Sequence, residues 1–319
     1  MTTLQPDSLD RFDSLFISPH ADDVLLSCPG RVRTEVERGR RVLLLALFGR
    51  PGEGEEAAAA VGRLGAEYVA AGLTPVRPRP LELAPAATVA ERDPEEEDVV
   101  IAAAHLLAEV GSRTQVVHTH APLGLGPSID HHVTYEASVR AFATEGGRNL
   151  FLYEERPEAF VPGAVRTRLA LLGARLPPEG ASSAPRAGLL RMLWRVNEPG
   201  QLREEPGGTR GRLATLGTAR RRWKAARAWN PLRAFGPRLQ PIVLAVDEEA
   251  GALAREIAEA VLPPDGKGRP RAARRFNSRA AAAAKRMGAV YHAERVWLFL
   301  PSGDGLAEVR HPLESDEPR

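Results

Sequence analysis

At 319 residues, with 43% hydrophobic and 26% charged residues, the chain has the balance of a folded globular protein rather than a disordered one. Its single cysteine, Cys28, excludes an intrachain disulfide and a thiolate metal cluster, so any metal site has to draw on His, Asp and Glu. The net charge is +2, and no stretch reaches the roughly 18 to 20 apolar residues of a membrane span; with a polar N-terminus this predicts a cytoplasmic protein.

The first apolar run, residues 14–18, ends in Pro19-His20-Ala21-Asp22-Asp23, and residues 24–38 carry helical spacing, so the chain opens as strand, loop and helix. Gly39 stops that helix, and the continuous apolar run 41–48 reads as a strand buried on both faces. Ala-rich helices are predicted over 55–71 and 95–110, then a short strand at 115–118 that leads through His120 into the Gly-rich loop 121–126. Asp130 is expected to cap a helix over 131–144, and 150–153 is again a strand. This alternation predicts an α/β fold: a Rossmann-like, mostly parallel sheet with helices on both faces. Ligands of such sheets bind beyond the carboxyl ends of the strands, the edge to which His20, Asp22, Asp23, His118, His120 and His131 are assigned.

From 162 to 236 the pattern changes to Pro, Gly and Arg, with 15 Lys and Arg against 4 Asp and Glu, a local charge of +11 that leaves −9 for the rest. Order resumes with a strand at 241–246, helices at 248–261 and 279–287, and a closing strand at 294–299. We therefore read residues 1–319 as a single domain, with 162–236 as a variable, cap-like basic insertion. No helix-turn-helix, RNP or zinc-finger signature accompanies the basic segment, so a nucleic-acid partner is not expected. The oligomeric state has no signature in the sequence.

The chemistry concentrates in two places. His20-Ala21-Asp22-Asp23 puts one imidazole and two carboxylates within one turn of chain, where the carboxylates repel unless a cation lies beside them. The bland alternative is that Asp22 and Asp23 only favour the helix macrodipole. Asp130-His131-His132 offers a second imidazole from the same sheet edge, and two His with one carboxylate is the ligand set of hydrolytic zinc sites. On this reading the alternative is a helix cap beside an incidental His pair.

Residues 16–23, the strand 42–48, Leu64-Gly65-Ala66, the loop 121–126 before Asp130-His131, Leu152-Tyr153-Glu154-Glu155-Arg156-Pro157 and Glu294-Arg295-Val296-Trp297 together resemble the PIG-L/LmbE family of N-acetylglucosamine deacetylases. The resemblance covers most of 15–163 and recurs near the end. It implies that His20, Asp23 and His131 ligate zinc or another divalent metal, that Asp22 is the general base, and that the substrate is a small N-acylated amino sugar or its conjugate. Three positions depart from the family pattern. Ser128 stands where a His commonly precedes the second metal-binding His, Glu53 where an Arg is usual, and Leu73-Thr74-Pro75 where an Asp is usual. Substrate binding or oxyanion stabilisation is accordingly assigned to Ser128 and His120, with His118 a further candidate for the missing imidazole. The rival expectation is a catalytically impaired homologue that serves as a metal- or sugar-binding module.

Overall fold

The computed structural model describes residues 10–49, 54–74, 94–125, 129–143, 149–156, 238–246, 248–261 and 293–300, with single positions at 159, 165, 168, 169 and 172. Glu53, Ser128, the predicted helix 279–287 and most of the basic insertion lie outside the described residues.

Seven strands form one sheet in the order β3-β2-β1-β4-β5-β7-β6. β1 (Ser14–Ser18), β2 (Val42–Phe48), β3 (Glu67–Leu73), β4 (His118–Pro122) and β5 (Asn149–Tyr153) run parallel, whereas β6 (Arg238–Ala245) and β7 (Ala293–Leu300) join antiparallel beside β5. Every residue of β1 and β2 is buried, as continuous apolar strands covered on both faces require. Leu15, Ile17, Leu43 and Leu45 face α4 (Pro94–Thr114) and α5 (Ile129–Phe142) through Val100, Leu107, Val133 and Val139. Phe16 and Leu44 face the other way, toward α1 (Asp23–Ser27), α2 (Pro29–Glu37), α3 (Gly54–Arg63) and α6 (Glu248–Val261) through Val24, Val32, Val61 and Leu253.

Several predicted elements are corrected. The helix read over 24–38 is two, because Pro29 lacks the N–H that would continue the hydrogen-bond ladder and instead starts α2 behind Cys28. The helix read over 55–71 ends at Arg63; Gly65 takes φ +80°, and Glu67–Leu73 becomes the edge strand β3. The strand expected at 115–118 lies further along, so His118 and His120 are inside β4 rather than at its exit. Asp130 lies within the first turn of α5, which starts at Ile129, and is not its cap.

The sheet reverses its winding between β1 and β4. After β1 the chain moves outward through β2 and β3, and after α4 it returns to β1's other side as β4. The loops that leave β1 and β4 therefore diverge at a topological switch point, where such sheets open a crevice. Val165, Leu169 and Leu172, from the start of the basic segment, are buried in the same core as α4 and α5, which anchors that end of the segment to the main body. Among the described residues no helix is long and apolar enough to cross a membrane.

Candidate metal centre

The loop after β1 is locked before it delivers its side chains. The Pro19 carbonyl accepts from Phe48 N–H (2.8 Å), Ser18 Oγ donates to the His20 carbonyl, and the hydroxyl of the buried Tyr153 donates to the Ile17 carbonyl (2.9 Å). The His20 N–H then donates to Asp23 Oδ2 (2.9 Å), folding the turn so that imidazole and carboxylate share one side.

Across the crevice, the first turn of α5 brings His131 to the same point. His20, Asp23 and His131 each offer a ligand atom within 4.8 Å of the others. Asp23 Oδ2 lies 3.2 Å from His20 Nδ1 and 3.7 Å from His131 Nε2. A tetrahedral cation with bonds of about 2.0 to 2.2 Å sets its ligand atoms about 3.3 to 3.6 Å apart. The two edges at Asp23 bracket that range and the third donor pair lies within 4.8 Å, so the donor set fits a divalent metal in its chemistry and at the Asp23 edges.

Each imidazole meets a second carboxylate on its other nitrogen. His20 Nε2 is 3.1 Å from Asp130 Oδ2, and His131 Nδ1 is 3.1 Å from Glu155 Oε1. Four carboxylates, those of Asp22, Asp23, Asp130 and Glu155, thus gather about two imidazoles. Burial alone would lower the His20 pKa, but Asp130 and Asp23 on its two nitrogens reverse this and push it up to about 10. Burial opposes ionisation of Asp23 as well, yet His131 and His20 hold its carboxyl below the ordinary range. The site favours positive charge at its centre.

Asp22 differs from its neighbour. It occupies the N-cap position of α1, but its side chain makes no capping hydrogen bond, so helix capping does not account for it. Burial first, and then the Asp23 carboxylate, push its carboxyl up to about 6.

The other sequence candidates lie elsewhere. His120 is fully buried on the α1/α2 face, stacked on Phe16 (4.1 Å between centroids) and on Phe151 (4.8 Å). Neither of its ring nitrogens has a hydrogen-bond partner among the described residues, and burial, followed by Arg31, holds its pKa well below the usual value. His118 lies two residues earlier, at the amino end of β4, where its Nδ1 is 3.5 Å from Asn149 Nδ2. Cys28 is buried between α1 and α2, with its thiol pKa pushed up by burial, as a packed side chain rather than a nucleophile. Asp130 and Glu155 are the residues that sequence reasoning left without a role at the centre. The only available signal was their place, one beside a candidate ligand and the other just past a buried strand.

No protein-family model matches the chain, and no curated protein matches it in sequence. Solved structures do share its fold. The zinc-inhibited form of the teicoplanin deacetylase Orf2 superposes with a TM-score of 0.53 at 15% identity, over 92% of this chain and 99% of that one. A deacetylase complex with bog from the teicoplanin biosynthesis pathway gives 0.53 at 16% identity over the same shares. A deacetylase–teicoplanin complex gives 0.52 at 14%, over 92% of this chain and 100% of that one. At these identities the likeness establishes the α/β architecture.

Proposed function

We propose that the chain is a metal-dependent hydrolase that removes an acetyl or related acyl group from the nitrogen of an amino sugar or a small conjugate of one. The observation that carries this reading is the convergence of His20 Nδ1, Asp23 Oδ2 and His131 Nε2 beside an Asp22 carboxylate that is not used as a helix cap. The fold shared with structures of deacetylases adds support, as does the sequence resemblance.

His20, Asp23 and His131 hold the metal, zinc or another divalent ion. When bound, such an ion lowers the pKa of a coordinated water to about 7 and polarises an amide carbonyl. Asp22, whose carboxylate is not used as a helix cap, is the general base that takes the proton of the attacking water. Water adds to the carbonyl carbon, the C–N bond breaks, and the proton held by Asp22 passes to the departing amine. The products are a carboxylic acid and a free amine.

The test is metal analysis of the purified protein, together with acetate release from a panel of N-acetylglucosamine conjugates and N-acylated glycopeptides. His20→Ala, Asp23→Ala and His131→Ala should each lose metal and hydrolysis together. Full metal occupancy in all three variants would refute the ligand set. A metal-loaded wild type that is inert on every substrate would point to the binding-module alternative.

A further inference from the structure

Glu155 lies two residues beyond the end of β5 and is completely buried. A carboxylate in that position is costly unless its bonds compensate. Its hydrogen bonds come from two directions to one atom. Oε1 lies 3.1 Å from His131 Nδ1 and accepts from the backbone N–H of Leu125 at 2.9 Å. Oε2 has no hydrogen-bond partner among the described residues. The side chain is thus placed for what it does to a ring and a loop, not to satisfy itself.

The loop it holds is fixed elsewhere too. Leu123 N–H donates to the Tyr153 carbonyl (2.9 Å), and Arg168 Nε donates to the Leu123 carbonyl (2.8 Å). Gly124 adopts φ +78° between these anchors, a backbone conformation that strains other residues, and a Cβ there would also displace the Arg168 guanidinium. Glu155 ties the Leu123–Leu125 segment to His131 through a single oxygen.

Building on the metal centre proposed above, we propose that Glu155 is the positioning residue of the ligand His131. Its Oε1 holds the proton on Nδ1, which leaves the Nε2 lone pair directed toward Asp23 Oδ2, 3.7 Å away. Ring orientation and tautomer are then set before metal arrives, the role that carboxylates behind metal-binding histidines perform in general. Asp130 stands in the equivalent relation to His20, but that imidazole is 30% exposed, whereas His131 is 7% exposed and Glu155 is 0% exposed. The buried pair has less freedom to reorient.

Two measurements on the full chain test this. Zinc affinity is read by competition with a chromogenic chelator for wild type and Glu155→Gln, with thermal unfolding of both metal-free proteins as the control for folding. The variant should bind zinc roughly 10- to 100-fold more weakly while its unfolding temperature changes little. Equal zinc affinity in the two proteins overturns the assignment while leaving the metal centre standing, and so does a loss of unfolding temperature with affinity retained. The second measurement needs no variant: in cadmium-113-loaded wild type with nitrogen-15 histidine, coupling should run to His131 Nε2 with a proton on Nδ1. Coupling through Nδ1 overturns the assignment. A wild type that takes up neither zinc nor cadmium refutes the metal centre, and this inference with it.

Discussion

The two edges of the sheet each hold a buried cluster of charge, and they are built in opposite ways. At the amino edge Glu35 is surrounded by donors: Ser14 Oγ at 2.5 Å, Arg31 Nη2 at 2.9 Å and Arg40 Nη1 at 2.8 Å. One acid meets two guanidinium groups, and its carboxyl is held below the ordinary range although burial opposes this. At the carboxyl edge the carboxylates of Asp23, Asp130 and Glu155 meet imidazoles, with Asp22 alongside. The first cluster joins α2 to β1, although Arg31 Nε and Nη1 and Glu35 Oε1 have no hydrogen-bond partner among the described residues. The second holds more acid than its imidazoles balance. Both clusters are unequal in sign, the first toward cation and the second toward acid, and only the second lies at the switch point of the sheet, where ligands of such folds bind.

The largest expected effect separates the two edges by activity. Asp22→Asn keeps the shape of the side chain and the three proposed ligands but cannot accept a proton. Turnover should fall by roughly 10² to 10⁴ with metal content unchanged. Turnover within a fewfold of wild type would place the base elsewhere.

Glu35→Gln is the counterpart at the amino edge. It leaves Arg31, which is 1% exposed, without its charge partner. Breaking a buried pair from one side should cost about 3 to 5 kcal/mol in urea unfolding while zinc affinity stays at the wild-type value. A loss of zinc affinity in that variant would mean that the edges are coupled.

The amino edge also predicts a pH dependence. His118 is drawn down to about 4, chiefly by burial and then by Arg40, Arg31 and Arg38, with Glu35 opposing. Because the unfolded imidazole, near 6.5, binds its proton first, stability is present above that value and is lost as pH falls toward 4. The loss attributable to this group amounts to at most about 3 kcal/mol. His118→Gln should flatten the stability profile between those limits. An unchanged slope would show that other groups carry the acid sensitivity.

How much of this was legible depended on whether the deciding contact was local. The strand, loop and helix around His20 could be read because a buried strand ending in Pro-His-Ala-Asp-Asp is a contiguous signal. β3 could not, since Ala-rich spacing at 55–71 satisfies a helix and only the positive φ of Gly65 ends it. Its half-exposed edge position also removes the apolar continuity that made β2 plain. Asp130 was expected to cap a helix, but its partner is His20, 110 residues earlier. Glu155 followed a recognisable strand, but nothing in its neighbours points to His131, 24 residues away. Ligand types were readable from local motifs, whereas the groups behind them depended on which strands become neighbours.

The smallest effect expected tests whether His120 belongs to neither cluster's chemistry. It was a sequence candidate for oxyanion stabilisation, yet its ring is nearly parallel to Phe16 (6°) and Phe151 (11°), and both nitrogens lack hydrogen-bond partners among the described residues. Leaving buried polar atoms unpaired costs about 1 to 3 kcal/mol. The stacking lost on replacement is worth about 0.5 to 1.5 kcal/mol. The first exceeds the second, so His120→Leu should raise stability by about 1 kcal/mol in urea unfolding, leaving zinc affinity and acetate release unchanged. Removing an oxyanion donor differs in one readout: turnover falls by roughly 10² to 10³. A fall of that size with metal fully retained would bring His120 into the reaction and break the division between a site that reacts and a core that only packs.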